Sequence, residues 1–412
     1  MCALKDILSD FSIVYDSIRT NPGKTINQVA VTGHTRISCV KCVARCKHFH
    51  PLTHKPRYNT VMPPQVFSLS VIIPALNEAD ILPDLLRDLC KQEAIQFETI
   101  IVDGGSCDNT QALCENFPDS HRIGLKVVSS ATGRAIQMNL GAKYASADDY
   151  LFLHADTRVQ DARSLFNAQQ HINLARQQSP DVQIAGHFPL RFISRDNRKK
   201  YYFYENKTYL NRPDTVNGDQ GFWIARNFFE LLGGFDESLP YMEDARIARK
   251  VFEIGRWITL PGKVETSARR FETEGFINRQ IVNAFLCNFN HMDVNEFFSA
   301  AIDAYQAQDK ATKLQLRPFL KLANQQLFGD GIGIALKRWY QTGEYVASNA
   351  WQLAFALDCR RAKKQGLEPG RIDARSLNFY DQHIQRVAGW RVVKLFTAIL
   401  TAIWFYSLFL TR

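Results

Sequence analysis

The chain has 412 residues, enough for two or three domains, and its 46% hydrophobic and 22% charged residues are typical of a globular protein. Its net charge of +9 admits nucleic acid, an anionic membrane or phosphorylated ligands as partners. The excess is concentrated before Val66, where nine Lys and Arg residues face three Asp residues. Few aromatic side chains are interleaved with this charge, which argues against nucleic acid. We therefore expect residues 1–66 to be a basic, irregular arm that binds no nucleic acid.

The arm contains a compressed cluster of zinc-ligating residue types. Three cysteines are followed closely by two histidines: Cys39, Cys42, Cys46, His48 and His50. Structural zinc sites usually draw their ligands from two well-separated pairs, and this spacing is too short to form them. Free thiols in a basic arm are therefore favoured over a metal site.

Strand and helix patterns alternate along the chain from Ser68. Apolar residues at helical spacing predict a helix after the first strand, and Gly133–Ala145 favours another. Such alternation predicts an α/β fold, in which a parallel, doubly wound, Rossmann-like sheet carries helices on both faces. Continuous apolar runs predict its buried strands at Ser68–Ile73, Thr99–Val102, Leu125–Val128 and Tyr150–Leu153.

Polar motifs follow three of these predicted strands. Ligands of doubly wound sheets bind beyond the carboxyl ends of the strands, so these motifs are expected to meet in one site. The coincidence of three motifs carries more weight than any one of them. The motifs are Pro74-Ala75-Leu76-Asn77-Glu78, Asp103-Gly104-Gly105-Ser106 and His154-Ala155-Asp156.

Asp156 stands just beyond an apolar strand. A carboxylate in this position is well placed to hold a hard divalent cation beside a diphosphate. His154 lies two residues earlier, on the same side of the strand, where a packed histidine is favoured over a metal ligand. The alternative for Asp156 is to cap a helix formed by the segment that follows it.

Several other side chains at the same edge suit a nucleotide. Asp103 can accept hydrogen bonds from a base or ribose or hold a turn, and Glu78 can contact the nucleotide or favour the start of a helix. Gly133 and Arg134 begin a helix, whose N-terminus and guanidinium favour a phosphate or a uracil-type carbonyl; a surface arginine is the alternative. Asn139, further along this helix, is expected to reach the same pocket.

Two pairs of residues suit the chemistry of a second substrate. Glu243 and Asp244 are adjacent carboxylates at the start of a predicted helix, and such neighbours tend to raise one pKa, as a general base requires. Helix capping by a solvated acid is the alternative. Asp219 and Gln220 lie in a polar turn before an aromatic strand (FWIA), where they either line an acceptor pocket or simply form the turn.

Eight motifs occur in an order that resembles family 2 glycosyltransferases of the GT-A fold. The resemblance covers about Ser68–Phe276, half of the chain. It is greatest to the bacterial branch in which His-Ala-Asp replaces the common DxD metal motif. The motifs are SVIIPALNE, IIVDGGSCDNT, GRAIQMNLGA, LFLHADT, GDQGFWIAR, LGGFDE, MEDARIARK and TSARRF.

The resemblance implies transfer of a sugar from a UDP- or GDP-type donor, with Mg²⁺ or Mn²⁺ and with inversion at the anomeric carbon. It assigns Asp156 to the metal and Asp244 to the general base, with Glu243 beside it. The Gln-x-x-Arg-Trp motif of processive enzymes is absent, so one sugar is expected per encounter. It assigns to the nucleotide Pro74, Glu78, Asp103, Arg134 and Asn139.

Two alternative functions remain on the sequence alone. A nucleotidyltransferase would usually show a Gly-rich phosphate loop after the first strand, where this chain has Pro-Ala-Leu-Asn-Glu. A non-catalytic scaffold that binds nucleotide sugars would be expected to lack Asp156 or Asp244, and both are present.

The C-terminal third of the sequence favours helices and ends in an apolar segment. Leu395–Leu410 carries no charge and approaches the length needed to cross a bilayer; Arg386, Arg391 and Lys394 favour a cytoplasmic flank. Asp6 and Asp10 interrupt any signal-peptide pattern. We expect a membrane-associated enzyme that faces the cytoplasm and has a lipid or glycan acceptor. Its expected regions are the arm 1–66, a GT-A domain 67–280, a helical region 281–388 and an anchor helix 389–411, which spans the membrane or lies in its plane.

Overall fold

A central sheet of seven strands organises the computed structural model, which describes residues 66–195, 200–308 and 313–411. The strand order is β3-β2-β1-β4-β7-β5-β8, and a separate pair joins β6 to β9. The strands are β1 Leu69–Ala75, β2 Phe97–Asp103, β3 Leu125–Ser129, β4 Asp149–Phe152, β5 Ile184–His187, β6 Leu190–Ile193, β7 Phe222–Ala225, β8 Arg256–Thr259 and β9 Val264–Ser267.

The predicted parallel sheet is confirmed, with one exception in strand direction. Strands β3, β2, β1 and β4 are parallel, and β5 and β8 are parallel to each other. Strand β7, the FWIA segment, runs antiparallel to both β4 and β5. The start of β7 therefore lies at the same edge as the carboxyl end of β4, where Phe222 pairs with Phe152.

Pro74 is tolerated inside β1 because of where the neighbouring ladder ends. β1 is buried along its whole length, as a strand covered on both faces should be. Its pairing with β4 stops at Ile72, which faces Phe152. Pro74 lies beyond that point, so its missing N–H costs no hydrogen bond to β4.

Helices cover both faces of the sheet, as predicted. On one face, Leu82, Leu85, Leu86 and Leu89 of α1 are buried at the spacing of an amphipathic helix. The other face packs against α3, α6 and α7 through a second apolar cluster. The helices up to this point are α1 Leu82–Cys90, α2 Thr110–Glu115, α3 Arg134–Tyr144, α4 Ser164–Gln178, α5 Tyr202–Lys207, α6 Arg226–Leu231 and α7 Glu243–Ile254.

The chain is helical after β9, as the sequence predicts. A third apolar cluster joins several of these helices through Phe285, Phe297, Phe319 and Phe405, and a fourth cluster that includes Trp351, Phe355 and Leu377 joins others. They are α8 Arg269–Glu274, α9 Phe276–His291, α10 Glu296–Gln306, α11 Arg317–Phe328, α12 Ile332–Ser348, α13 Trp351–Lys364, α14 Arg375–Phe379, a π-helical turn Tyr380–Ile384, α15 Gln385–Ala388 and α16 Arg391–Thr411.

Helix α16 contains the apolar segment singled out in the sequence. It is the one helix in the described part of the chain that is both long and apolar enough to cross a membrane. The basic arm and its cluster of Cys39, Cys42 and Cys46 lie outside the described residues. The zinc alternative for that cluster stays untested.

Candidate active site

The polar motifs of four strands meet at one edge of the sheet. β1 and β2 end in register, with Ala75 beside Asp103. Because β4 and β7 are antiparallel neighbours, the segment that follows β4 lies against the short 3₁₀ turn Gly218–Gln220 that precedes β7. Segments that lie more than a hundred residues apart in sequence are thus assembled around one surface.

Three polar contacts connect the residues that the sequence singled out. His154 Nδ1 lies 2.9 Å from Asp219 Oδ1. The Gly218 N–H donates to Asp244 Oδ2 at 2.7 Å, and Arg134 Nη1 donates to Glu243 Oε1 at 3.2 Å. These contacts place the predicted metal motif, acceptor turn and base in one continuous group.

Gly218 lets His154 and Asp244 approach each other, a role that sequence reasoning missed. A Cβ atom at this position would lie 2.8 Å from His154 Nε2 and 3.1 Å from Asp244 Oδ2. Any side chain would therefore push the two apart. A small cavity opens here, lined by Met138, Phe152, His154, Gly218, Phe222, Phe235 and Asp244.

The two adjacent carboxylates occupy different environments. Glu243 is buried and burial raises its pKa, although Arg134 opposes this change. Asp244 is half-buried and lines the cavity. Because Glu243 is buried and paired with Arg134 whereas Asp244 lines the cavity, Asp244 is the better placed of the two to meet a substrate.

The start of α7 is fixed from outside the sheet. Met242, immediately before Glu243, adopts a left-handed backbone with φ of 69°, which is costly for a side chain of this size. Leu239 is buried in the apolar cluster of the C-terminal helices, and Tyr241 and Met242 pack against it. The helical region thus supports the backbone that aims Asp244.

Asp219 is held as a carboxylate. Desolvation by the surrounding groups of the site opposes its ionisation, but the hydrogen bond and charge of His154, together with Arg134 and Arg270, outweigh this and lower the Asp219 pKa to about 2. Its neighbour Gln220 is fully buried and donates through Nε2 to the Thr215 carbonyl at 2.8 Å. Of this predicted acceptor pair, Asp219 reaches the surface, whereas Gln220 holds the turn from inside.

Asp156 lies close to Glu78 rather than at a helix start. Burial and the charge of Asp156 both raise the pKa of Glu78. Thr266 Oγ1 donates a long hydrogen bond of 3.4 Å to Asp156 Oδ2. Helix α4 begins at Ser164 with Arg163 as its N-cap, so the capping alternative for Asp156 does not hold.

Arg269 and Arg270 are site residues that sequence reasoning left without a role. Both lower the pKa of Glu78 against its burial, and Arg270 also lowers that of Asp219. Both are exposed at the start of α8, directly after β9. Their signal in the sequence was the adjacent arginine pair in the TSARRF motif.

Several residues assigned to the nucleotide are also bonded to the protein. Asp103 is buried and accepts from the N–H groups of Gly105 and Ser106, both at 3.1 Å. Asn139 donates to the Phe235 carbonyl at 2.8 Å and accepts from the Phe235 N–H at 3.0 Å. These bonds shape the loops of the edge, and nucleotide contact by Pro74, Glu78, Asp103, Gly133, Arg134 and Asn139 stays a prediction.

Gln137 is a second missed residue. Its buried amide donates to the carbonyls of Ala75 and Val102, at 2.8 and 2.7 Å. It thereby ties the ends of β1 and β2 to α3. A polar residue at a buried helix position gives no specific signal in a single sequence.

The donor set at the edge fits a divalent cation that is shared with a ligand. Within the described residues, no group of three or more His, Cys, Asp or Glu side chains is close enough to hold a metal ion. Magnesium is commonly held by one or two carboxylates, with water and substrate phosphates as the other ligands. Asp156, with Glu78 beside it, matches that arrangement.

Comparison with known proteins agrees with this geometry. The profile described as "Glycosyl transferase family 2" matches residues 70–232, which contain β1 to β7 and most of the site. Residues 70–232 form a family 2 glycosyltransferase domain. The GT-A fold expected from the sequence motifs is confirmed with it.

Two curated relatives match part of the same domain. A PGL/p-HBAD biosynthesis glycosyltransferase of Mycobacterium bovis is 34% identical over 99 residues, 23% of this chain and 38% of the relative. An undecaprenyl-phosphate 4-deoxy-4-formamido-L-arabinose transferase of Pseudomonas fluorescens is 32% identical over 99 residues, 23% of this chain and 29% of the relative. The match therefore spans less than two-fifths of either relative.

One solved structure is similar over more of the chain, but its sequence identity is lower. A mannosyltransferase from Pyrobaculum calidifontis, in complex with GDP-Man and Mn²⁺, is 18% identical and covers 85% of this chain and 91% of its own, with a TM-score of 0.42.

Proposed function

We propose that this family 2 glycosyltransferase transfers one sugar, with inversion, from a nucleotide-sugar donor to an acceptor hydroxyl. The observation that carries the proposal is a half-buried carboxylate at the carboxyl edge, Asp244, which accepts from the Gly218 N–H at 2.7 Å and lines a cavity. Inversion needs one general base on the face opposite the leaving group. Glu243 is paired with Arg134 and is therefore a positioning residue.

Asp244 takes the proton of the acceptor hydroxyl as the hydroxyl oxygen attacks the anomeric carbon. The new carbon–oxygen bond forms while the bond from the anomeric carbon to the diphosphate breaks. The nucleoside diphosphate leaves with both electrons of that bond. The N–H of Gly218 stabilises the Asp244 carboxylate, and His154 keeps Asp219 ionised beside it.

The leaving diphosphate needs positive charge at the other side of the site. Mg²⁺ or Mn²⁺ held by Asp156 would neutralise the charge that develops on the diphosphate. Arg269 and Arg270 add fixed positive charge near Glu78, and Arg134 stands at the N-terminus of α3, where phosphate is favoured. Pro74, Glu78, Asp103, Gly133 and Asn139 would hold the nucleoside.

The acceptor is proposed to be carried by a membrane lipid. One relative is named for transfer to undecaprenyl phosphate, and α16 is long and apolar enough for membrane attachment. The attached enzyme would face the cytoplasm, where nucleotide sugars and reduced thiols are expected. Asp219, exposed beside Asp244, would then contact the incoming acceptor.

The donor site is tested by thermal stabilisation of the purified full chain. A panel of UDP-, GDP-, dTDP- and CDP-sugars is added with and without Mn²⁺, to wild type and to Asp156→Ala. We expect one nucleotide class to raise the melting temperature in a metal-dependent way, because a ligand that binds only the folded state stabilises it. The shift should disappear in Asp156→Ala.

A metal-dependent shift that persists in Asp156→Ala would remove Asp156 from the metal site. No shift with any donor, in a sample that melts cooperatively, would contradict the proposed activity. Asp181→Asn serves as the control, because this exposed carboxylate precedes β5 at the opposite edge of the sheet.

A further inference from the structure

Helix α16 is not an isolated apolar helix, because one of its sides is bound to the rest of the chain. Phe405 and Ala398 are buried, and Tyr406 donates through its hydroxyl to Asn324 of α11 at 3.0 Å. Lys394 forms an ion pair with Glu344 of α12. A helix that crosses a bilayer alone would expose these groups to lipid.

Helix α12 lies antiparallel against α16 at close range. Gly343 faces the first half of α16, where a Cβ would clash with the Lys394 carbonyl oxygen. Trp339, one turn earlier, packs on Phe405 in the second half of α16. The absence of a side chain at Gly343 thus lets the two backbones approach, and the beginning of α12 lies beside the end of α16.

The opposite side of α16 is an exposed apolar stripe. Its members recur every three to four residues, which places them on one face of the helix. The nearby start of α12 adds exposed Ile332 and Leu336. The stripe comprises Leu395, Phe396, Ile399, Leu400, Ile403 and Leu410.

Basic and tryptophan side chains flank this stripe. Residues 385–412 contain Arg386, Arg391, Lys394 and Arg412 and no acidic residue. Arg386 in α15 and Trp390 and Arg391 at the start of α16 are exposed, and Trp404 is exposed within α16. An apolar face with exposed arginines near the start of the helix and tryptophans beside it suits a helix at the interface of an anionic membrane.

We propose that α12 and α16 form a monotopic membrane-binding surface, with α16 lying in the plane of the bilayer rather than crossing it. If α16 crossed the bilayer together with α12, Glu344, Lys337 and Arg338 of α12 would move towards the hydrocarbon. If it crossed alone, α16 would lose its packed contacts with α12, and both outcomes are unfavourable. Lying in the plane buries the stripe and leaves every packed contact intact. The proposal rests on the membrane attachment in the proposed function and specifies its geometry.

The packing of α16 also bears on the position of the proposed base. Phe405 of α16 belongs to the same apolar cluster as Leu239, and Met242 packs against that cluster. This cluster therefore runs from the membrane-binding helix to the backbone immediately before Glu243 and Asp244. An in-plane helix would hold the base at a fixed height above the lipid surface from which the acceptor is drawn.

Binding is tested with the full chain and vesicles of phosphatidylcholine, with and without phosphatidylglycerol. We expect binding that is stronger with the anionic lipid and at least about tenfold weaker in Leu400→Glu. The control is Leu174→Glu on α4, because Leu174 and Leu400 are 51% and 49% exposed. Both variants should keep the donor-dependent thermal shift, which separates a failure of this surface from a failure of the proposed activity.

The depth of α16 in the bilayer distinguishes a helix that lies in the membrane plane from one that crosses the membrane. Spin labels are attached to single cysteines at Val392, Leu400 and Leu410, after Cys107 and the four cysteines before residue 50 are replaced by serine. An in-plane helix predicts one common depth for all three labels. A Leu400 label roughly 12 Å deeper than that at Val392 would mean that the helix crosses, which overturns the proposal. Vesicle binding that is absent, or unchanged in Leu400→Glu, would overturn it as well, as would self-association through this face in place of lipid.

Discussion

The two edges of the central sheet hold glutamates in opposite electrostatic states. At the amino edge, Glu98 accepts hydrogen bonds from Ser70, Ser146 and Lys126 at 2.6 to 2.7 Å. Burial opposes ionisation of Glu98, but these bonds outweigh it and lower its pKa to about 2. At the carboxyl edge, burial raises the pKa values of Glu78 and Glu243.

The difference separates a structural charge from charges that are available to a ligand. Donors from three neighbouring segments hold Glu98 and fix the starts of β1, β2 and β3. At the opposite edge, Asp156 accepts one long bond from Thr266 among the described residues, and Asp244, which accepts from the N–H groups of Gly218 and Ala245, lines a cavity. Carboxyl groups with perturbed pKa values gathered in one place, as Glu78, Asp219 and Glu243 are here, are a common mark of a functional site.

The largest effect is expected from Asp244→Asn at the carboxyl edge. The amide cannot accept the acceptor proton, so the transfer rate should fall by about 10² to 10⁴ while donor binding persists. Transfer of label from a radiolabelled donor and the thermal shift measure the two quantities separately. Asp181→Asn is the matched control, and an Asp244→Asn enzyme with wild-type turnover would move the base elsewhere.

A smaller effect, on stability alone, is expected from Glu98→Gln at the amino edge. Because the pKa of Glu98 in the folded protein lies below its ordinary value of 4.5, the charge of Glu98 contributes stability above that pH, which is lost as the pH falls towards about 2. The contribution at neutral pH is roughly 3 kcal/mol. Denaturant unfolding between pH 2 and 7 measures it.

The unfolding free energies of wild type and Glu98→Gln should therefore differ at neutral pH and converge in acid. Exposed Glu93→Gln provides the control, with no difference expected at any pH. A difference that stays constant across the whole range would show that Glu98 does not act through its charge.

The smallest effect is expected from Arg270→Gln. Loss of one exposed charge near the diphosphate should weaken donor binding by about tenfold, with turnover at saturating donor little changed. Arg256→Gln, at the amino edge of β8, carries the same change away from the site and should bind donor as wild type does. Equal donor affinity in the two variants would remove Arg270 from the site.

Much of this arrangement could be predicted from the sequence because local patterns encode it. Apolar runs predicted β1 to β4 to within two residues at each end, and the motifs beyond them predicted the site edge. The antiparallel direction of β7 could not be predicted, because the four residues FWIA carry no information on strand direction. The packing of α16 against α12 was equally hidden, since it depends on Gly343 and Glu344 some fifty residues earlier.

The missed site residues share a physical reason. Gly218 matters because of what its missing Cβ would meet, and Gln137 because of two carbonyls brought to it by different strands. Arg269 and Arg270 act at a distance on carboxylates from other segments. Each role is created by tertiary contacts that composition and spacing do not report.

The most direct test of a one-base site at the carboxyl edge is the stereochemistry of the first product. Proton NMR distinguishes the two anomers of the product formed from an α-linked donor. The product is the glycoside when acceptor is present, and the free sugar, observed before it mutarotates, when water takes the place of the acceptor. The account predicts an initial β product, because Asp244 activates the attacking oxygen opposite the leaving diphosphate. An initial α product would contradict it, because retention requires chemistry that a single base cannot supply.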